Sequence, residues 1–265
     1  MQAEIFSSNE YHTHPDTHRF LADRILVKSR WVFMWNYIRI VFKSRSSAIK
    51  GKYDSQAWIE SSHNIFDNIE GCGGRFHITG LDNIRNSIGP VIFLSNHMST
   101  LETMIFPGII QPIKEVTFVV KEELVKHWAF GAIMRSRNPI VLSRSNPRED
   151  FKIVMDQGSK LLTQGISLVV FPQSTRRMKF NPKEFHSLGT KLAIKAGVQV
   201  IPVAIKTDFW GNGKIASYLG PIDRKKPIYI AFGSPMQVTG NGKEEHQKII
   251  DFIQTHLEVW EADTL

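Results

Sequence analysis

Five positions separate a histidine from a glutamate, His97 and Glu102, just after a short apolar run, Val91-Ile92-Phe93-Leu94. An imidazole with one nitrogen held by an ionised carboxylate takes up a proton at the other, so the pair suits general-base activation of a hydroxyl. Each residue also has a plainer use. Ser99-x-x-Glu102 is the pattern of a capping box, in which the Glu side chain reaches back to the Ser N–H, and a single histidine is often a satisfied, partly buried side chain. A second set of residues suits an anion. Arg176, Arg177 and Lys179 occupy a loop, 173–179, that contains no acid, while Lys121 and Arg144 follow two other apolar runs. Guanidinium groups in such a loop bind phosphate through charge-assisted, often bidentate, hydrogen bonds.

The elements that position these residues are legible from spacing. Val91 to Leu94 reads as a strand, Ser95 to Thr100 as a turn, and Leu101, Ile105 and Ile109 as one face of a helix stopped by Pro112. Val116–Val120, Ile140–Leu142, Ile166–Phe171, Val198–Ala204 and Ile228–Phe232 read as further strands, with a polar-faced strand at Arg75–Thr79 and a turn at residues 80–83. Between them, helices are expected over 125–134, over 147–163 with Asn146 as cap and Pro147 in its first position, over 186–196, and over 244–260. In open α/β sheets the ligand crevice lies beyond the carboxyl ends of the strands. This order therefore predicts that His97, Lys121, Arg144 and Arg176 face one cleft.

Asn96-His97-x-x-x-x-Glu102 resembles the first motif of the glycerolipid acyltransferases, the lysophosphatidic acid acyltransferase family, whose pattern is Asn-His-x-x-x-x-Asp. Phe171-Pro172-Gln173-Ser174-Thr175-Arg176 is similar to that family's Phe-Pro-Glu-Gly-Thr-Arg. Residues 121–144, from Lys121-Glu122-Glu123-Leu124 to Arg144, resemble its second motif, and Val200-Ile201-Pro202-Val203-Ala204 its fourth. The resemblance covers roughly residues 75–235, with all four motifs in order. It implies His97 and Glu102 as catalytic residues and Lys121, Arg144, Gln173, Ser174, Thr175 and Arg176 as substrate-binding residues, without a metal. It implies acyl transfer from acyl-CoA or acyl-carrier protein to a lysophospholipid hydroxyl, such as that of 1-acyl-glycerol-3-phosphate, with no bound cofactor. Three departures stand out: Glu102 replaces the usual Asp, and Gln173 and Ser174 replace Glu and Gly. Acyl or aminoacyl transfer to lipid A is an alternative consistent with them. A non-catalytic basic protein that binds membranes or nucleic acid is another.

At 265 residues, with 42% hydrophobic and 22% charged residues, the chain suits one large α/β domain, a central mostly parallel or mixed sheet flanked by helices. Residues 1–17 read as a flexible tail, 18–70 as an N-terminal helical arm, and 71–265 as the acyltransferase domain. The single Cys72 excludes an internal disulfide. A net charge of +8 indicates an anionic partner. No Asp or Glu lies between Arg24 and Tyr53, where Lys28, Arg30, Arg39, Lys43 and Arg45 are interleaved with aromatic residues. Wound as one helix, residues 24–43 place Lys28, Asn36, Arg39 and Lys43 on a stripe and Val27, Trp31, Met34, Ile38 and Phe42 on a wide apolar face. Too many cations interrupt it for a bilayer span. An interfacial helix on an anionic membrane, on its cytoplasmic side and peripheral, fits better, and a basic-rimmed helix packed on the domain is the plainer reading. A second helix follows, capped by Asp54 and closed by the glycines at 71–74. Gly-x-Ser-x-Gly, Walker, dinucleotide and His-Glu-x-x-His patterns are absent, as are the signatures of nucleic-acid modules.

Overall fold

Apolar runs without polar alternation must be covered on both faces, and such runs form the centre of the structure, a computed structural model that describes residues 6–25, 30–173, 175–213 and 216–263. In chain order the elements are β1 (Glu10–His12), α1 (Leu21–Ile25), α2 (Trp31–Ile49), α3 (Ser55–Gly71), β2 (Phe76–Thr79), α4 (Leu81–Asn86), β3 (Val91–Ser95) and α5 (Leu101–Ile110). They continue with β4 (Val116–Lys121), α6 (Glu122–Lys126), α7 (Gly131–Arg135), β5 (Ile140–Leu142), α8 (Pro147–Thr163), β6 (Ser167–Val170), α9 (Leu188–Ala196), β7 (Gln199–Lys206), β8 (Ile228–Phe232), β9 (Met236–Gln237) and α10 (Lys243–Ala262).

Among the described residues the strands form one mixed sheet in the order β1-β2-β8-β7-β3-β6-β4-β5, with β9 added antiparallel to β7. Strands β7, β3, β6, β4 and β5 run parallel to one another. Their carboxyl ends therefore share one edge, which is where His97, Lys121, Arg144, Gln173 and Thr207 emerge. All five residues of β3 and all four of β6 are buried. Around the sheet α2 packs on α3, α3 on α5, α8 on α9, and α10 on β7. Gly108 permits the α3–α5 approach, because a Cβ there would meet His63 and Ser62. Local signals act as their chemistry predicts: Asp54 caps α3 by accepting from Ala57 N–H at 2.9 Å, and Asn146 accepts from the N–H groups of Arg148 and Glu149 at the start of α8.

The N-terminal third departs most from its sequence reading. Within the 1–17 segment read as a tail, β1 pairs antiparallel with β2, and Phe6 is buried against Tyr11, His63 and Phe66. A three-residue strand is too short for alternation to register. The single helix expected over 24–43 is instead α1 and α2, with Val27 and Lys28 outside the described residues. Helix α2 is also apolar on two faces. Phe33, Met34, Tyr37 and Val41 are buried, whereas Trp31, Trp35, Ile38 and Phe42 are exposed. Met34 and Ile38, one turn apart and placed together by the sequence reading, straddle the boundary between the buried and the exposed surface. The helix expected over 125–134 divides into α6 and α7, and the turn expected at 80–83 opens α4 after Gly80 at φ 80°. There Gly is required, since a Cβ would collide with the Phe232 carbonyl oxygen.

Candidate active site

The last residues of β3 carry the site. Beyond Ser95, the Asn96 side chain continues the pairing with β7: its Nδ2 donates to the Ile205 carbonyl and its Oδ1 accepts from Ile205 N–H, both at 2.9 Å. His97 is then held at both backbone groups by the third-motif loop. Its N–H donates to Gln173 Oε1 at 3.0 Å, and its carbonyl accepts from Arg177 N–H at 2.8 Å. The imidazole stacks on Phe171, centroids 4.2 Å apart. Strand ends, loop and aromatic face leave the ring little freedom.

His97 Nδ1 lies 2.8 Å from Glu102 Oε1. The same oxygen accepts from the N–H groups of Met98 at 2.7 Å and Ser99 at 2.8 Å, while Oε2 accepts from the hydroxyls of Ser99 at 2.9 Å and Thr207 at 2.7 Å. Burial pushes the Glu102 carboxyl up, but hydrogen bonding and charge from His97, with the bond from Thr207, outweigh it and hold the group below the usual carboxylate range. An ionised carboxylate only accepts. Nδ1 therefore carries a proton, and in the neutral ring Nε2 has the lone pair. The capping reading also holds in part. Glu102 does reach back to Ser99 N–H, yet the Ser99 hydroxyl accepts from Leu101 N–H rather than from Glu102.

Cations gather beside the pair. Burial lowers the Arg176 guanidinium pKa, while the negative charge of Glu102 raises it. Burial likewise lowers the Lys121 ammonium pKa, and repulsion from Arg144 and Arg176 lowers it further, with Glu123 opposing. Lys121 thus feels the charge of both Arg144 and Arg176, the other two expected anion-binding cations. Arg144 adopts φ 61°, a left-handed turn fastened by Asp150 Oδ2, which accepts its N–H at 2.8 Å. Gln173 sits differently from its sequence expectation: it is 2% exposed and its carbonyl is spent on the His97 backbone. Thr175 is exposed, and Ser174 lies outside the described residues. Sequence reasoning missed Thr207, which reaches Glu102 from 105 positions along the chain and sits in no recognisable motif. It also missed the role of Phe171, for which an aromatic at a strand end was the available signal.

The arrangement is a fixed His–Glu pair with the Arg176 guanidinium within electrostatic range of the carboxylate. Comparisons with known proteins point the same way. The profile of the acyltransferase family matches residues 75–206. The chain is 30% identical over 194 residues to the 1-acyl-sn-glycerol-3-phosphate acyltransferase of Pseudomonas aeruginosa, covering 73% of this chain and 70% of that one. It is 31% identical over 118 residues to the probable 1-acyl-sn-glycerol-3-phosphate acyltransferase of Mycoplasma pneumoniae, covering 43% and 44%. Against the chloroplastic enzyme of that name from Arabidopsis thaliana it is 29% identical over 143 residues, covering 53% of this chain and 37% of that one. The chain thus spans less than half the length of the latter two. The crystal structure of the 1-acyl-sn-glycerophosphate acyltransferase PlsC from Thermotoga maritima shares the fold, with a TM-score of 0.61 at 19% identity over 91% of this chain and 94% of that one.

Proposed function

This chain belongs to the acyltransferase family, and from that premise we propose that it moves a fatty acyl group from a thioester donor to the hydroxyl of a lysophospholipid such as 1-acylglycerol-3-phosphate. The observation that carries the reading is the ionised, five-fold hydrogen-bonded Glu102 against His97 Nδ1, which leaves Nε2 as the base. In the proposed step the acceptor hydroxyl loses its proton to Nε2 as its oxygen attacks the thioester carbonyl. The C–O bond forms, the C–S bond breaks, and the imidazolium returns the proton to the departing thiolate. Glu102 stabilises the transient positive charge. Arg176, with Lys121 and Arg144, binds the acceptor phosphate and so holds the hydroxyl at Nε2, turning binding energy into orientation.

The donor in this reading is acyl-CoA or acyl-carrier protein, which places the reaction on the cytoplasmic side of a membrane. No helix among the described residues is long and apolar enough to cross one. Docking is assigned to the outer face of α1 and α2. There Leu21, Ile25, Trp31 and Trp35 are each about two-thirds exposed, beside an apolar groove of about 770 Å³. Arg24, Arg30, Arg39 and Lys43 supply the charge toward anionic headgroups. The test is to supply purified protein with an acyl thioester and either 1-acylglycerol-3-phosphate or a lipid A precursor. Formation of the diacyl phosphate supports the reading, and product only from the lipid A precursor rejects its acceptor.

A further inference from the structure

Tyr37 belongs to α2, outside the 75–206 segment that matches the family profile. Its ring is locked in place, edge-on to Trp210 at 4.8 Å and stacked with Phe33 at 6.5 Å. Trp210 in turn lies between two residues tied to the site, Thr207, which bonds Glu102, and Asn212, whose Nδ2 donates to the Met98 carbonyl at 3.0 Å. Tyr37 is 1% exposed, yet its hydroxyl has no hydrogen-bond partner among the described residues. Leaving a buried hydroxyl unpaired is costly. A second donor at the site is in the same condition: Gln173 Nε2 is buried and unpartnered, while the other end of that amide is engaged by His97. Burial raises the Tyr37 phenol far above its ordinary range, so it is a neutral donor, and it is coupled electrostatically to Tyr218 and Arg176. Two buried, unpartnered donors, one of them on the residue that holds the His97 backbone, are groups that an acceptor-rich anion would satisfy.

We propose that Tyr37 is an acceptor-binding residue, its hydroxyl donating to an oxygen of the same phosphate that Arg176 holds. The inference rests on the acyltransferase reading for the identity of that phosphate as the acceptor's headgroup. Helix α2 then contributes to substrate binding with one face while its opposite face carries Trp31, Trp35 and Ile38 outward.

Tyr37→Phe removes the hydroxyl and keeps the ring packing. The acceptor KM should rise on the order of tenfold with the donor KM unchanged, because a hydrogen bond to a charged group is lost. The unfolding midpoint without ligand should hold or rise, since an unpaired buried hydroxyl has been removed. An unchanged acceptor KM overturns the proposal, and so does a raised KM accompanied by a lowered midpoint, which would mark a packing defect. If the wild-type protein transfers no acyl group to any phosphate-bearing acceptor, the acyltransferase reading fails by itself. Inorganic phosphate then serves as the probe. A phosphate-induced rise in midpoint that is smaller in Tyr37→Phe than in wild type upholds the phosphate contact, and equal rises overturn it.

Discussion

Glu102 Oε1 stands 2.8 Å from His97 Nδ1 and also accepts from the backbone N–H groups of Met98 and Ser99. The carboxylate held against His97 is therefore also the group that closes the turn from β3 into α5. A buried acid with this many donors is held ionised by its surroundings, and in the proposed reaction the same charge would serve folding and chemistry together.

Because the folded-state pKa of Glu102 is depressed, its ionisation contributes stability that is fully present above the unfolded carboxyl pKa, about 4.3, and is lost as pH falls through the lower folded value. Glu102→Gln should cost about 2–4 kcal/mol near neutrality, by setting an amide against donors that need an acceptor. The difference in unfolding midpoint between wild type and Glu102→Gln should narrow below about pH 4. A gap independent of pH would show that the charge is not what stabilises the turn.

Length matters as well as charge. Glu102→Asp retracts the carboxylate by about 1.5 Å, too far to serve His97 and Thr207 at once. Turnover should fall on the order of 100-fold, since displacements of this size misalign reacting groups. Full activity in Glu102→Asp would mean that the shorter acid common in the family is accommodated here by the same backbone.

Thr207→Val deletes one of the two hydroxyls on Glu102 Oε2. It should lower stability by about 1–2 kcal/mol and move the acid-side loss of stability to higher pH. Denaturant unfolding at several pH values checks both.

Arg176→Ala should raise the acceptor KM with little change in donor KM, and Arg176→Lys should restore only part, because an ammonium lacks the planar fork. Steady-state kinetics with each substrate varied in turn separates these outcomes.

The membrane-facing assignment is open to flotation. Trp31→Glu combined with Trp35→Glu should release the protein from anionic liposomes at physiological salt, and raising salt to about 1 M should weaken wild-type binding. Undiminished binding of the double variant would remove the outer face of α2 from the account.

Much of this site was legible before any coordinates, for identifiable reasons. Strands β3, β4 and β6 are central, so their runs are largely apolar, and each leads to a polar site residue at or shortly beyond its end. His97 and Glu102 lie close in sequence, which makes their pairing readable from spacing. Thr207 was not readable, because its contact depends on β7 lying beside β3. The reversal at Gln173 was hidden for a related reason: whether an amide faces a ligand or a neighbouring backbone is decided by tertiary contact. Helix α2 misled because a helix buried on one face and apolar on the other has no clear polar stripe, so periodicity alone merges the two surfaces.

The most direct measurement is acceptor-dependent thioester cleavage by purified wild-type protein and by His97→Ala, with circular dichroism and unfolding midpoints to establish that both are folded. The wild type should transfer the acyl group to 1-acylglycerol-3-phosphate, and the variant should do so two to four orders of magnitude more slowly. A folded His97→Ala protein that transfers at the wild-type rate would contradict the assignment of His97 as the base.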